Sequence, residues 1–120
     1  MGHILIVDDD MAMLETISKA LRNSGHGVVT SPNGIEALNI LQSDQKFDLI
    51  LSDVIMPGID GIELSQEAAK ILPSLKIMFI TGFSAVALGA KNPHKTGKTV
   101  INKPFHLNEL VSRVNEMLAE

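Results

Sequence analysis

FDLILSDVIMPGIDG, residues 47–61, aims an apolar run at an acid. Leu49-Ile50-Leu51 has the composition of a strand buried on both faces, and a carboxylate ending such a strand is costly unless something pairs with it. Pro57, Gly58 and Gly61 then interrupt the chain before the next helical pattern begins. The expectation is that Asp53 is not buried but sits where the strand emerges, its charge met by cations.

Outward from this stretch, β-type runs alternate with helical periodicity. HILIV (3–7), HGVVTS (26–31), LKIMFIT (75–81) and TVINK (99–103) read as further strands. Between them, Met11, Leu14, Ile17 and Leu21 fall on one helical face, with Gly25 as a C-terminal stop. Ile35, Leu38 and Leu41 mark a second helix, and Leu64, Ala68 and Ile71 a third that Pro73 ends. Leu107, Leu110, Val111, Val114 and Leu118 mark the last. In SAVALGAKNPHKTGK (84–98), Gly89, Pro93 and Gly97 leave room only for a short or irregular fourth helix. Apolar strands joined through helices by short links predict an α/β fold, a doubly wound parallel sheet flanked by five helices. The 120 residues suffice for one domain with its own core, and the chain stops at Glu120 just after the last helix, so no output domain is expected.

Composition excludes several function classes. The net charge is −4 and no basic cluster exceeds two or three residues, which argues against neutralising nucleic-acid phosphates. With no Trp or Tyr and four Phe, stacking platforms for bases are nearly absent too. Cysteine is absent, so disulfides and thiolate metal sites are ruled out. No apolar run approaches the ~18 residues that span a bilayer, and the N-terminus meets acids too soon for a signal peptide. A cytoplasmic domain without membrane insertion is expected, monomeric by default.

Ligands of an open parallel sheet collect at the carboxyl ends of its strands. Those ends carry Asp8 and Asp9, Asp53, Thr81 and Lys103. Each has a bland reading: an acidic turn, a strand terminus, an ordinary Lys-Pro turn, with Asp10 as a helix N-cap. Met56, Met78 and Met117 read as core fillers, and His3, His26, His94 and His106 lack ligand spacing. The conjunction at one edge favours chemistry. Three gathered carboxylates repel unless they share a cation, and oxygen-only donors select a hard one, Mg²⁺ or Mn²⁺. A lysine and a threonine facing the same point suit a phosphoryl group, and an aspartate can itself be the nucleophile. Asp53, at the sheet's centre, is the candidate.

ILIVDDD, NGIEAL, LILSDVIMPGIDGIEL, IMFITGF and INKPF, in this order and spacing, resemble bacterial two-component response-regulator receiver domains across essentially the whole chain. The resemblance implies a flavodoxin-like fold with strand order 2-1-3-4-5. It implies that a histidine kinase or histidine phosphotransfer protein donates phosphoryl to Asp53, followed by autodephosphorylation. It also implies Mg²⁺ held by Asp8, Asp9, Asp53 and the backbone carbonyl of Ile55, with Thr81 and Lys103 on the phosphoryl group. The Lys103–Pro104 peptide bond is cis in that family. One position departs: the family's switch aromatic, three residues before the lysine, falls on Val100. Rearrangement of 84–98 is then expected to carry the signal instead. Ile55 and Phe83 should flank the phosphoryl group without orienting a water, which predicts slow self-hydrolysis.

LKIMFITGFSAVAL and KPFHLNELVSRVNEML are similar to the CpdR-type single-domain regulators of alphaproteobacteria. That narrower resemblance implies a cell-cycle adaptor that binds ClpX of the ClpXP protease when unphosphorylated, with recruitment to a cell pole by its partner. A phosphorelay shuttle without other output is the alternative. A Mg²⁺-dependent aspartyl phosphatase is disfavoured, because Ile55 stands where its second acid belongs. A pseudo-receiver is disfavoured because the site residues are all present. The domain is thus expected to catalyse only its own phosphorylation and dephosphorylation.

Overall fold

The alternating runs become five parallel strands, β1 (His3–Val7), β2 (Gly27–Ser31), β3 (Leu49–Asp53), β4 (Lys76–Thr81) and β5 (Thr99–Asn102), ordered β2-β1-β3-β4-β5. Helices α1 (Met11–Asn23), α2 (Gly34–Leu41), α3 (Gly61–Ile71) and α4 (Leu107–Ala119) complete the described elements. The computed structural model describes residues 2–43, 46–54, 58–81, 99–102 and 106–119, with Thr81 and Thr99–Asn102 as backbone. The short helix expected within 84–98 lies outside the described residues, as do Met56 and His94.

Strand alternation divides the core into two layers. Leu5, Val7, Ile50, Ile77 and Phe79 point towards α2 and α3, where they meet Ala37, Leu41, Leu64 and Ala68. Ile4, Ile6, Leu49, Leu51, Met78 and Ile80 point the other way, onto Leu14, Ile17 and Leu21 of α1 and Leu110, Val114 and Met117 of α4. β3 is buried at all five positions, as a central parallel strand covered on both faces must be. Truncating its fully buried Leu51 to Ala should cost about 3 kcal/mol. A urea midpoint within a tenth of wild type would contradict that packing.

Three buried-face expectations need correction. Met11 is 65% exposed and Ile35 59% exposed, although Leu14, Ile17, Leu21 and Leu41 pack as read. Each outlier lies in the first turn of its helix, at the rim of the sheet, where a stripe runs past the surface it covers. At α2 the small residue, Gly34, faces inward, so the next side chain turns outward. Leu107, at the start of α4, is similarly left 36% exposed.

The helix ends are set by side chains. Asp10 caps α1 by accepting from the N–H groups of Ala12 (3.1 Å) and Met13 (3.2 Å), as the sequence suggested. α2 and α3 begin alike, with Asn33-Gly34-Ile35-Glu36 and Asp60-Gly61-Ile62-Glu63. In each, the cap oxygen accepts from the glutamate N–H at 2.8 Å. Gly25 closes α1 with φ +94°.

The histidines serve structure where they are described. His3 stacks on Phe47 with ring centroids 4.3 Å apart. His26 accepts from the Gly2 N–H at 3.0 Å through Nδ1, and its Nε2 meets Asn115 Oδ1 at 2.7 Å, tying the chain start to α4. Lys76 donates to the Met117 carbonyl in the last turn of the same helix. His106 is exposed, and its carbonyl accepts the first bond of α4 from Leu110.

Candidate active site

Strand register alone brings the acids together. Val7 pairs with Ser52, so the residues that follow them, Asp8 and Asp53, leave adjacent strands side by side. Asp53 in turn pairs with Ile80, placing Thr81 one step further out on the neighbouring strand. Thr81 pairs with Asn102, the residue immediately before Lys103. Register thus brings Asp8, Asp53 and the Thr81 backbone to one edge of the sheet. Lys103, Pro104, Ile55 and Phe83 lie outside the described residues, and Thr81 and Val100 are placed by backbone alone.

Asp8, Asp9 and Asp53 each bring one carboxylate oxygen within 4.8 Å of the other two. Asp8 is 1% exposed and Asp53 8%, whereas Asp9 faces solvent. Asp53 is thus buried, which corrects the expectation that it stands clear of the core. The cause is local. The Gly61 N–H donates to the Val54 carbonyl at 2.8 Å, folding the start of α3 back over the end of β3. A Cβ at Gly61 would lie 2.2 Å from the Asp53 carbonyl oxygen and 2.9 Å from Val54 Cα, so only glycine allows this approach.

Asp8 is oriented from both sides. Its N–H donates to the Ser31 carbonyl at 3.2 Å, and its Oδ1 accepts from the Asp10 N–H at 2.9 Å. Ser31 is buried and its hydroxyl donates to the Asn33 carbonyl at 2.8 Å, so the β2–α2 turn supports the acid beside it. The Ser52 hydroxyl donates to the Asp53 carbonyl at 2.9 Å. Ser31 and Ser52 were not singled out in the sequence. The available signal was a small hydroxyl residue at a strand end directly before a turn or an acid.

The donor set fits a hard divalent cation. All three groups are carboxylates, two are withdrawn from water, and closely spaced like charges in such a setting favour a shared cation. The edge also presents a buried carboxylate as a potential nucleophile, with exposed Asp9 at the rim.

Residues 4–115 match the response regulator receiver domain family. The chain belongs to that family. The receiver domain is 45% identical to the response regulator receiver protein CpdR of Brucella abortus over 98% of both chains. It is 34% identical to the sensor kinase CckA of the same organism over 96% of this chain, spanning only 12% of that protein. The crystal structure of the receiver domain from the hybrid histidine kinase CckA superposes with a TM-score of 0.82 at 36% identity, covering 98% of this chain and 99% of that one. The flavodoxin-like strand order expected of receivers is the order present here. Among the described residues, no helix is long and apolar enough to cross a membrane.

Proposed function

We propose that this receiver domain is a phosphorylation-controlled protein-binding module of a two-component phosphorelay, acting in the cell cycle as a CpdR-like adaptor for the ClpXP protease. The reading is carried by an acid cluster at the sheet edge in a chain that matches CpdR nearly end to end. A phosphohistidine on a histidine kinase or phosphotransfer protein is the donor. An Asp53 carboxylate oxygen forms the new bond to phosphorus as the phosphorus–nitrogen bond breaks, and the electron pair leaves with the donor imidazole. Asp8, Asp9 and Asp53, with the Ile55 carbonyl, would hold Mg²⁺ or Mn²⁺. When bound, the cation supplies the charge neutralisation that an incoming phosphoryl group of roughly −1.5 to −2 requires. Thr81 and Lys103 are assigned to the phosphoryl oxygens, and the switch runs through 84–98 because Val100 replaces the usual aromatic.

In this account the output is binding to ClpX by the unphosphorylated form, in the cytoplasm and at a cell pole to which the partner recruits it. Affinity capture from cell extract tests it. Asp53→Asn should retain ClpX under conditions where the phosphorylated wild type releases it; equal recovery with both would refute the adaptor switch. Similarity to the receiver domain of CckA supports a second reading, a shuttle whose only partner is a phosphotransfer protein. Recovery of that partner without ClpX would favour it.

The lifetime of the acyl phosphate follows from its neighbours. Ile55, two residues beyond Asp53, offers no hydrogen bond to an attacking water, nor does Phe83, two beyond Thr81. Ile55→Asn should therefore shorten the phosphorylated lifetime several-fold. A rate of phosphoryl loss equal to or slower than wild type would count against this arrangement.

A further inference from the structure

The loop between β3 and α3 is gripped from two sides, and only one grip touches Asp53. On that side Gly61 closes against the Asp53 carbonyl. On the other, the N-terminus of α2 packs against Ile59. A Cβ at Gly34 would lie 2.2 Å from Ile59 Cγ2, 3.1 Å from its Cβ and 3.0 Å from its carbonyl oxygen. No atom pair tolerates 2.2 Å, and the backbone oxygen leaves little room to retreat. Gly34 is not among the positive-φ glycines, so its backbone conformation is open to any residue. Helix propensity alone would favour alanine at this position. What Gly34 supplies is space.

The other ends of this contact reach the acid cluster. Gly34 follows Asn33, whose carbonyl accepts from the Ser31 hydroxyl, and the Ser31 carbonyl accepts the Asp8 N–H. Ile59 lies within the same short connection, Val54 to Gly61, that leaves Asp53. Gly58, with φ +79°, has Ile35 Cδ1 3.9 Å from where its Cβ would stand, so the first turn of α2 lies along the loop.

We propose that Gly34 is a positioning residue for the metal and phosphoryl site. By leaving room for Ile59 and its carbonyl at the start of α2, it keeps that end of the connection from Asp53 to Gly61 from being pushed away from the acids. The inference rests on the receiver chemistry proposed for Asp8, Asp9 and Asp53, and adds to it a residue that touches neither metal nor phosphate. The corresponding glycine of α3, Gly61, acts directly on Asp53; Gly34 acts through Ile59.

Mg²⁺ titration followed by amide chemical shifts, with melting temperature measured in parallel without metal, tests the proposal. Gly34→Ala should weaken Mg²⁺ binding about tenfold, the scale of a lost supporting contact. Phosphoryl uptake from acetyl phosphate should fall at limiting Mg²⁺ and recover at saturating Mg²⁺. Gly34→Ala/Ile59→Ala removes the 2.2 Å contact but keeps the 3.0 and 3.1 Å approaches to the Ile59 carbonyl oxygen and Cβ, so it should regain part of the affinity, while Ile59→Ala alone stays near wild type. Gly27→Ala, whose Cβ would meet nothing nearer than 3.4 Å, is the control and should change nothing. Wild-type affinity in Gly34→Ala, or a lowered melting temperature with unchanged affinity, would overturn the proposal. So would a double variant that fails to fold or to recover. A wild type that neither binds Mg²⁺ nor takes up phosphoryl would remove the receiver chemistry and this inference together; normal wild-type behaviour beside an unaffected Gly34→Ala would remove the inference alone.

Discussion

Asp53→Asn is expected to reduce phosphoryl uptake from acetyl phosphate or a phosphohistidine donor to background. The substitution keeps the size and planar shape of the side chain, so the packing around a group only 8% exposed is preserved. It replaces an anionic oxygen nucleophile with a neutral amide whose lone pairs are delocalised, and the acyl phosphate has no oxygen on which to form. It also takes one of three clustered carboxylates from the cation site, so Mg²⁺ affinity should fall alongside. Phosphate incorporation and Mg²⁺ titration on the folded variant, with far-ultraviolet circular dichroism to verify the fold, check both effects. Residual uptake at the wild-type rate would place the acceptor elsewhere.

Gly61→Ala carries the next largest expected effect, although it alters no charge and no ligand. Alanine is the better helix former, and at an ordinary first-turn position the exchange would stabilise. Here the added carbon would stand 2.2 Å from the Asp53 carbonyl oxygen and 2.9 Å from Val54 Cα. Both are backbone atoms, so relief requires the end of β3 or the start of α3 to move. We expect a loss of about 1–3 kcal/mol in stability, the usual range for overpacking. Phosphoryl uptake should fall with it, because the strand end that moves carries the acceptor. Urea denaturation and acetyl phosphate labelling measure the two. A variant as stable as wild type would contradict the close approach of α3 to β3.

Much of this architecture was legible because its determinants are periodic. Leu49-Ile50-Leu51 announces a strand buried on both faces, and the same reasoning recovered each strand to within one or two residues. Strand ends then point to the carboxyl edge, which is how Asp8, Asp9 and Asp53 could be grouped before any contact was known. What escaped has short-range causes. Met11 and Ile35 continue their helical stripes in sequence, yet they lie where the sheet below has ended, and periodicity does not register where a covering surface stops. The approach of α3 to the Asp53 backbone at Gly61 is a contact between residues eight apart that no local propensity encodes. Gly34 was visible only as part of a family-like motif; its reason is a side chain on another loop. The paired starts, Asn-Gly-Ile-Glu and Asp-Gly-Ile-Glu, follow the same capping logic as Asp10 but went unread; they begin the two helices that meet Ile59 and the Asp53 backbone.

The central claim is that Asp53 accepts a phosphoryl group at a divalent-cation site formed by the acids of β1 and β3. Intact-mass spectrometry after acetyl phosphate treatment, with and without chelator, followed by peptide mapping, tests it most directly. A single added phosphoryl is expected in the presence of Mg²⁺, located on the peptide containing Asp53 and absent when Mg²⁺ is chelated. An unmodified protein, metal-independent labelling, or a phosphoryl group mapped to any other residue would contradict it.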